Sequence, residues 1–157
     1  MIKLFRIDER LIHGQIAIKW SRHTGVDSIV VANDNAASNV MIQKSLKMAA
    51  PPGVKTVIKT IDDAVKTLND PRCEPLKVLV LVNNPEDAVE MVTQVSGVPF
   101  VNIGNYGRVA PKKPGKRGYA WIIICIVTRK KLLHFVRCWK PGWSAFIRPL
   151  LKNRQFH

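Results

Sequence analysis

Apolar segments of strand length alternate with segments of helical period from the start of the chain to about residue 105. Ile2–Ile7, Ser28–Ala32, Lys55–Lys59, 77–82 and 100–103 are rich in Val and Ile and apolar on both faces, as buried parallel strands are. Four helical patterns lie between them. Ile12, Ile16 and Trp20 make an i, i+4, i+8 stripe, and a less regular pattern covers 38–48. Ile61, Ala64, Val65 and Leu68, then Ala88, Met91, Val92 and Val95, both fit i, i+3, i+4, i+7. Thr60 precedes Asp63 at capping-box-like spacing, and Asn84-Pro85-Glu86 sets a cap residue, an N1 proline and a first-turn acid in order. Pro51-Pro52-Gly53 and Gly97-Val98-Pro99 punctuate helix ends.

Repeated βα units predict a single α/β domain: an open, mainly parallel twisted sheet with helices on both faces and right-handed crossovers. Ligand sites in such sheets lie at the strand C-termini. The loops predicted there carry His13 after the first strand, Asn33-Asp34-Asn35 after the second, Asn83-Asn84 after the fourth and Asn102-Ile103-Gly104-Asn105 after the fifth. Small polar residues and a glycine suit close approach to a phosphorylated group. Asn33, Asp34 and Asn105, each taken singly, are better explained as turn formers.

Composition changes this picture at one end. The chain has 157 residues, enough for one domain to bury a core without metals or disulfides. Cys73, Cys125 and Cys138 are widely spaced, with no C-x-x-C pair and no histidine at ligand spacing, which fits a reducing cytosol. The N-terminus lacks a signal-peptide core, and the longest apolar run, 121–127, is too short to span a bilayer. The expected location is therefore cytoplasmic. The net charge of +14 suggests a nucleic-acid or membrane partner until it is located along the chain. Residues 1–110 hold 13 Lys and Arg against all 11 Asp and Glu, whereas 111–157 hold 12 basic residues and no acid. Three of the four tryptophans, Trp121, Trp139 and Trp143, also fall in that last stretch.

Beyond Tyr106 the pattern weakens. Residues 112–118 form a basic loop that is not a P-loop, because Gly115-Lys116 lacks the earlier glycine and is followed by Arg117. No G-x-G-x-x-G occurs. Residues 121–127 fit one more strand, but 129–157 show no clean period.

The strongest candidate for chemistry is His13, in the run Arg6-Ile7-Asp8-Glu9-Arg10-Leu11-Ile12-His13-Gly14-Gln15. Phosphoryl relay needs an exposed nucleophile that is neutral near physiological pH and can leave again. Imidazole, with an ordinary pKa of about 6.5, meets these conditions, one nitrogen attacking while the other is steadied by a hydrogen bond. Arg10 suits the phosphoryl oxygens, Gly14 allows close backbone approach, and the N–H groups of Gln15 and Ile16 face an anion if a helix starts there. Asp8 and Glu9 would repel a phosphoryl group, so they are expected to pair with Arg6 or Arg10 or to orient the loop. The plainer reading of His13 is a cap or surface residue. His23 reads as a partner for a helix C-terminus, while Met41 and Met48 read as core filler.

The run from Arg6 to Gln15, followed by Lys19-Trp20, closely resembles the signature of the enzyme IIB components of the mannose/fructose/sorbose family of the bacterial phosphoenolpyruvate-dependent sugar phosphotransferase system. Further resemblance follows in order at Val31-Ala32-Asn33-Asp34, at 46–54 and at Asn102-Ile103-Gly104-Asn105, covering about residues 1–120. The resemblance implies that His13 accepts phosphate on Nδ1 from a IIA component and gives it to a sugar entering through membrane IIC and IID subunits, with Arg10 assisting. It implies peripheral association with that permease and no metal or bound cofactor. Gly14, Gln15, Asn33, Asp34, Asn102, Gly104 and Asn105 are the loop residues expected around the phosphoryl group. A homodimer is compatible with it, and the sugar is not legible.

Residues 121–157 depart from the family, which continues there with an acid-containing strand, a helix, a final strand and a further basic residue that helps pass phosphate to sugar. Twelve bases beyond residue 110 with no acid fit a reading-frame change or a fusion better than a diverged domain end. The alternatives are a nucleic-acid or membrane-surface binder using 111–157, or a IIB-like acceptor impaired in the final transfer. Nucleic acid is not the expected partner, because the charge is segregated from every motif.

Overall fold

In the computed structural model, which describes residues 1–14, 16–104 and 145–147, the predicted strands form one sheet. β1 (Ile2–Ile7), β2 (Ser28–Ala32), β3 (Lys55–Lys59), β4 (Val78–Val82) and β5 (Val101–Ile103) are mutually parallel, and β6 (Ala145–Ile147) adds antiparallel to β5. The order is β3-β2-β4-β1-β5-β6. β1 therefore lies inside the sheet, between β4 and β5.

Between the strands stand a π-helical segment, Ile16–Trp20, running into α1 (Ser21–Thr24), then α2 (Asp34–Ser38), α3 (Val40–Met48), α4 (Ile61–Leu68) and α5 (Pro85–Gln94). Side-chain alternation along the strands sorts the core into two layers. Phe5, Ile7, Val30, Val80 and Val82 pack with Ile61, Ala64, Ala88 and Met91 of α4 and α5. Leu4, Ile29, Val31, Leu79 and Leu81 pack with Ile12, Ile16, Ala36 and Leu46 from the other face. β1 joins this alternation through an irregularity between Ile2 and Leu4, which sets both Ile2 and Phe5 on the α4/α5 side. Each fully buried leucine contributes about 1.5–3 kcal/mol relative to exposure.

The caps expected at Thr60 and Asn84 form: Asp63 N–H donates to Thr60 Oγ1 at 3.3 Å, and Asp87 N–H to Asn84 Oδ1 at 2.7 Å. Two helices differ from the sequence pattern. The 38–48 pattern begins only at Val40, because Asn39 is extended and its side chain accepts from Met41 N–H and Ile42 N–H, capping α3 and separating it from α2. The stripe of Ile12, Ile16 and Trp20 is carried by a loop and a wider π turn, not one α-helix. Met41 and Met48 are exposed, not core filler. No helix among the described residues is long and apolar enough to cross a membrane. The basic loop at 112–118, the candidate strand 121–127, Cys125, Cys138 and nearly all of the tail lie outside the described residues.

Candidate active site

The C-terminal end of β1 builds the corner that carries His13. Asp8 N–H extends the ladder to Val82 O at 2.8 Å, and Gly104 N–H closes on Ile7 O at 2.9 Å, so both neighbours fix where β1 ends. The chain then turns sharply, with Leu11 N–H donating to Asp8 O at 2.9 Å. Leu11 takes a left-handed φ of 52°, uncommon for a residue with a side chain. That turn buries Leu11 and Ile12 in the Leu4/Leu79 layer and brings His13 back over Asp8.

His13 Nε2 lies 3.3 Å from Asp8 Oδ2; the imidazole side chain is 14% exposed and the carboxylate not at all. Asp8 also accepts from Arg6 Nε at 3.2 Å and Nη2 at 2.9 Å, and its Oδ1 accepts from Arg10 N–H at 3.2 Å. The acid thus pairs with Arg6 and orients the loop, as its sign required. An ionised carboxylate only accepts, so a neutral imidazole in this contact carries its proton on Nε2 and its lone pair on Nδ1. This partner of the histidine was not read from sequence.

Arg6 is buried in β1 on the face opposite Phe5 and Ile7. Its register partner in β5 is Asn102, whose Oδ1 accepts from Arg6 Nη1. Its guanidinium carbon sits 5.0 Å from the centroid of the Trp20 ring. Behind it is Gly104, where a Cβ would lie 2.0 Å from Arg6 Nη2. Asn102 and Gly104 were expected to face a phosphoryl group; Asn102 is instead fully buried, and the space left by the glycine is filled by Arg6.

Arg10 has an exposed side chain on a backbone tied down by Asp8. Gly14 is exposed, with nothing within 4 Å of its Cβ position, and borders a cavity of about 550 Å³ with Arg22, Pro51 and Pro52. Gln15 and Asn105 lie outside the described residues. Asn33 and Asp34 follow β2, which β4 separates from β1. Asn33 caps α2, accepting from Ala36 N–H at 2.8 Å, and Asp34 Oδ1 accepts from Ile61 N–H at 2.9 Å, joining this loop to α4. Burial holds the nearby Asp87 carboxyl above its ordinary value, against the lowering hydrogen bond from Asn84 and with Asp34, Glu90 and Glu86 adding to the rise. This acidic corner is separated by β4 from the strand that carries His13. Among the described residues no group of three or more His, Cys, Asp or Glu is set to hold a metal.

Known proteins share this arrangement of sequence and fold. Residues 2–116 match the family described as the PTS system sorbose subfamily IIB component. A probable phosphotransferase enzyme IIB component of Streptococcus pyogenes serotype M6 is 39% identical over 117 residues, 74% of this chain and 72% of that protein. The sorbose-specific EIIB component of Klebsiella pneumoniae is 34% identical over 116 residues, 74% of this chain and 68% of its own length. The crystal structure of the Klebsiella IIBSor domain superposes with a TM-score of 0.66 at 34% identity, covering 75% of this chain and 70% of that one. A second, of manxB from Thermoanaerobacter tengcongensis, gives 0.70 at 28% identity over 83% and 80%. With a family match spanning most of its length and the same open α/β sheet, the chain belongs to the sorbose subfamily of PTS IIB components, transferases of sugar transport.

Proposed function

We propose that this chain is a phosphocarrier: His13 accepts a phosphoryl group from a IIA component and passes it to a sugar entering through a membrane IIC/IID permease. The observation that carries this reading is the 3.3 Å contact between His13 Nε2 and buried Asp8, which leaves Nδ1 as the nucleophile. In the first step the Nδ1 lone pair forms the new P–N bond as the bond to the donor's imidazole breaks, and the donor leaves with that electron pair. Asp8 stabilises the cationic ring through Nε2–H. Arg10, exposed in the same loop, neutralises charge on the transferring oxygens. Gly14 leaves backbone room for them. In the second step a sugar hydroxyl attacks the same phosphorus, His13 departs as the neutral imidazole, and the hydroxyl proton passes to base or solvent.

The protein works as a protein-phosphohistidine–sugar phosphotransferase in the cytoplasm, at the face of its permease. Labelled phosphoenolpyruvate and the upstream relay test it: the chain takes up label, and His13→Ala takes up none. Undiminished label on the variant contradicts the reading.

A second reading is favoured by the family match ending at residue 116. Residues 1–120 then form the IIB-like domain and 121–157 a foreign tail, and the chain accepts phosphate but delivers it poorly. Single-turnover transfer from phosphorylated His13 to sugar separates the two.

A further inference from the structure

The Oδ2 atom of Asp8 serves both His13 and Arg6. A carboxylate on a short side chain can rotate, so something must hold its plane for Oδ2 to stay opposite Nε2. Arg10 N–H holds Oδ1, and two donors of one rigid guanidinium fork, Nε and Nη2, converge on Oδ2 itself. Three groups hold the fork in turn: Asn102 accepts from Nη1, the Trp20 ring lies 5.0 Å from its carbon, and Gly104 leaves the space that its Nη2 fills. These groups come from β5, from the end of the π turn and from the loop after β5. Stability does not explain the arrangement, since a buried ion pair adds little over apolar side chains of the same volume.

We propose that Arg6 is a positioning residue, braced by Trp20, Asn102 and Gly104, which keeps Asp8 aimed at Nε2 and so keeps Nδ1 of His13 free for the phosphoryl group. The proposal rests on the phosphocarrier reading of His13. Trp20 couples the first helix to the loop: loosening the ring releases the guanidinium, then the carboxylate, then the tautomer.

The test uses the full chain labelled with ¹⁵N-histidine, at a pH where the ring is neutral, together with the rate of phosphoryl acceptance. The unmodified chain shows one His13 tautomer, protonated at Nε2. Trp20→Leu and Arg6→Gln show a mixture of tautomers and accept phosphate about 10–100-fold more slowly at unchanged KM for the donor, the scale known for a metal-bound histidine that loses its orienting partner. Trp20→Phe, which keeps a ring over the guanidinium, restores both. Trp20 is only half-buried, so its leucine variant decides the matter if Arg6→Gln does not fold. Retention of the single tautomer and of the full rate in folded Trp20→Leu overturns the proposal. If the unmodified chain takes no label on His13, the phosphocarrier reading fails, while the tautomer spectra still decide the role of Arg6.

Discussion

Nε2 of His13 stands 3.3 Å from Oδ2 of Asp8, five residues earlier, on an acid that is wholly buried and already paired with Arg6. The imidazole is thus oriented through one nitrogen by a buried acid.

Asp8→Asn keeps the shape of this side chain and removes its charge. The amide weakens the hold on Nε2 and leaves the Arg6 cation without its counter-ion. Phosphoryl acceptance is expected to fall at least ~10-fold, by analogy with other orienting partners. Stability falls by about 3 kcal/mol, the cost of breaking a buried pair on one side. Urea unfolding and initial labelling rates measure the two effects on one preparation.

Arg10→Ala separates chemistry from folding. Its side chain is exposed, so stability stays within about 0.5 kcal/mol. Loss of a donor to the transferring oxygens costs about 10²-fold in rate. An unchanged rate removes Arg10 from the transfer step.

Asn33→Ala behaves in the opposite way. The side chain caps α2, so the variant loses about 1 kcal/mol of stability by thermal or urea unfolding. Its phosphorylation rate per folded molecule stays that of the unmodified chain. A large rate loss at unchanged stability would return Asn33 to the phosphate site.

Gly104→Ala pushes a methyl group into the space of the Arg6 guanidinium. The fork must leave Asp8 or Asn102, and the overpacking costs about 1–3 kcal/mol. Acceptance slows as it does in the Arg6 variant. A variant with unchanged stability and rate shows that the guanidinium does not need this space.

Asp27 gives the acid limb of the stability curve a handle. The Ser28 hydroxyl, then Lys77 N–H, holds its carboxyl below the ordinary value of 3.8. A lowered folded pKa means stability that is fully present above the unfolded value and is lost as pH falls through the folded one. Asp27→Asn therefore lowers stability at neutral pH and flattens its decline below about pH 4. Equal acid slopes in the two proteins contradict this.

The layered sheet was legible because buried parallel strands leave continuous runs of Val, Ile and Leu, and because Thr60 and Asn84 are local caps that act within three residues. The supports of the histidine were less so. The contact between Asp8 and His13 depends on a left-handed turn at Leu11, a backbone state that its side chain does not advertise. Arg6 meets Asn102 across 96 residues of sequence, through the pairing of β1 with β5. One signal did exist: an arginine among Leu4, Phe5 and Ile7 must be buried, and a buried charge needs a partner. Asn33 and Asp34 looked like phosphate ligands because loop asparagine and aspartate serve caps and anion sites alike. The structure adds what sequence could not: Asn33 caps α2 and Asp34 accepts from Ile61 N–H, on a strand that β4 separates from β1.

Phosphorylation at Nδ1 of His13 is read most directly from the ³¹P and ¹⁵N spectrum of the chain phosphorylated through its relay and selectively labelled at histidine. The expected spectrum shows one phosphoryl group, coupled to Nδ1 of His13, with the proton retained on Nε2 beside Asp8. Phosphate on Nε2, or on any residue other than His13, contradicts it.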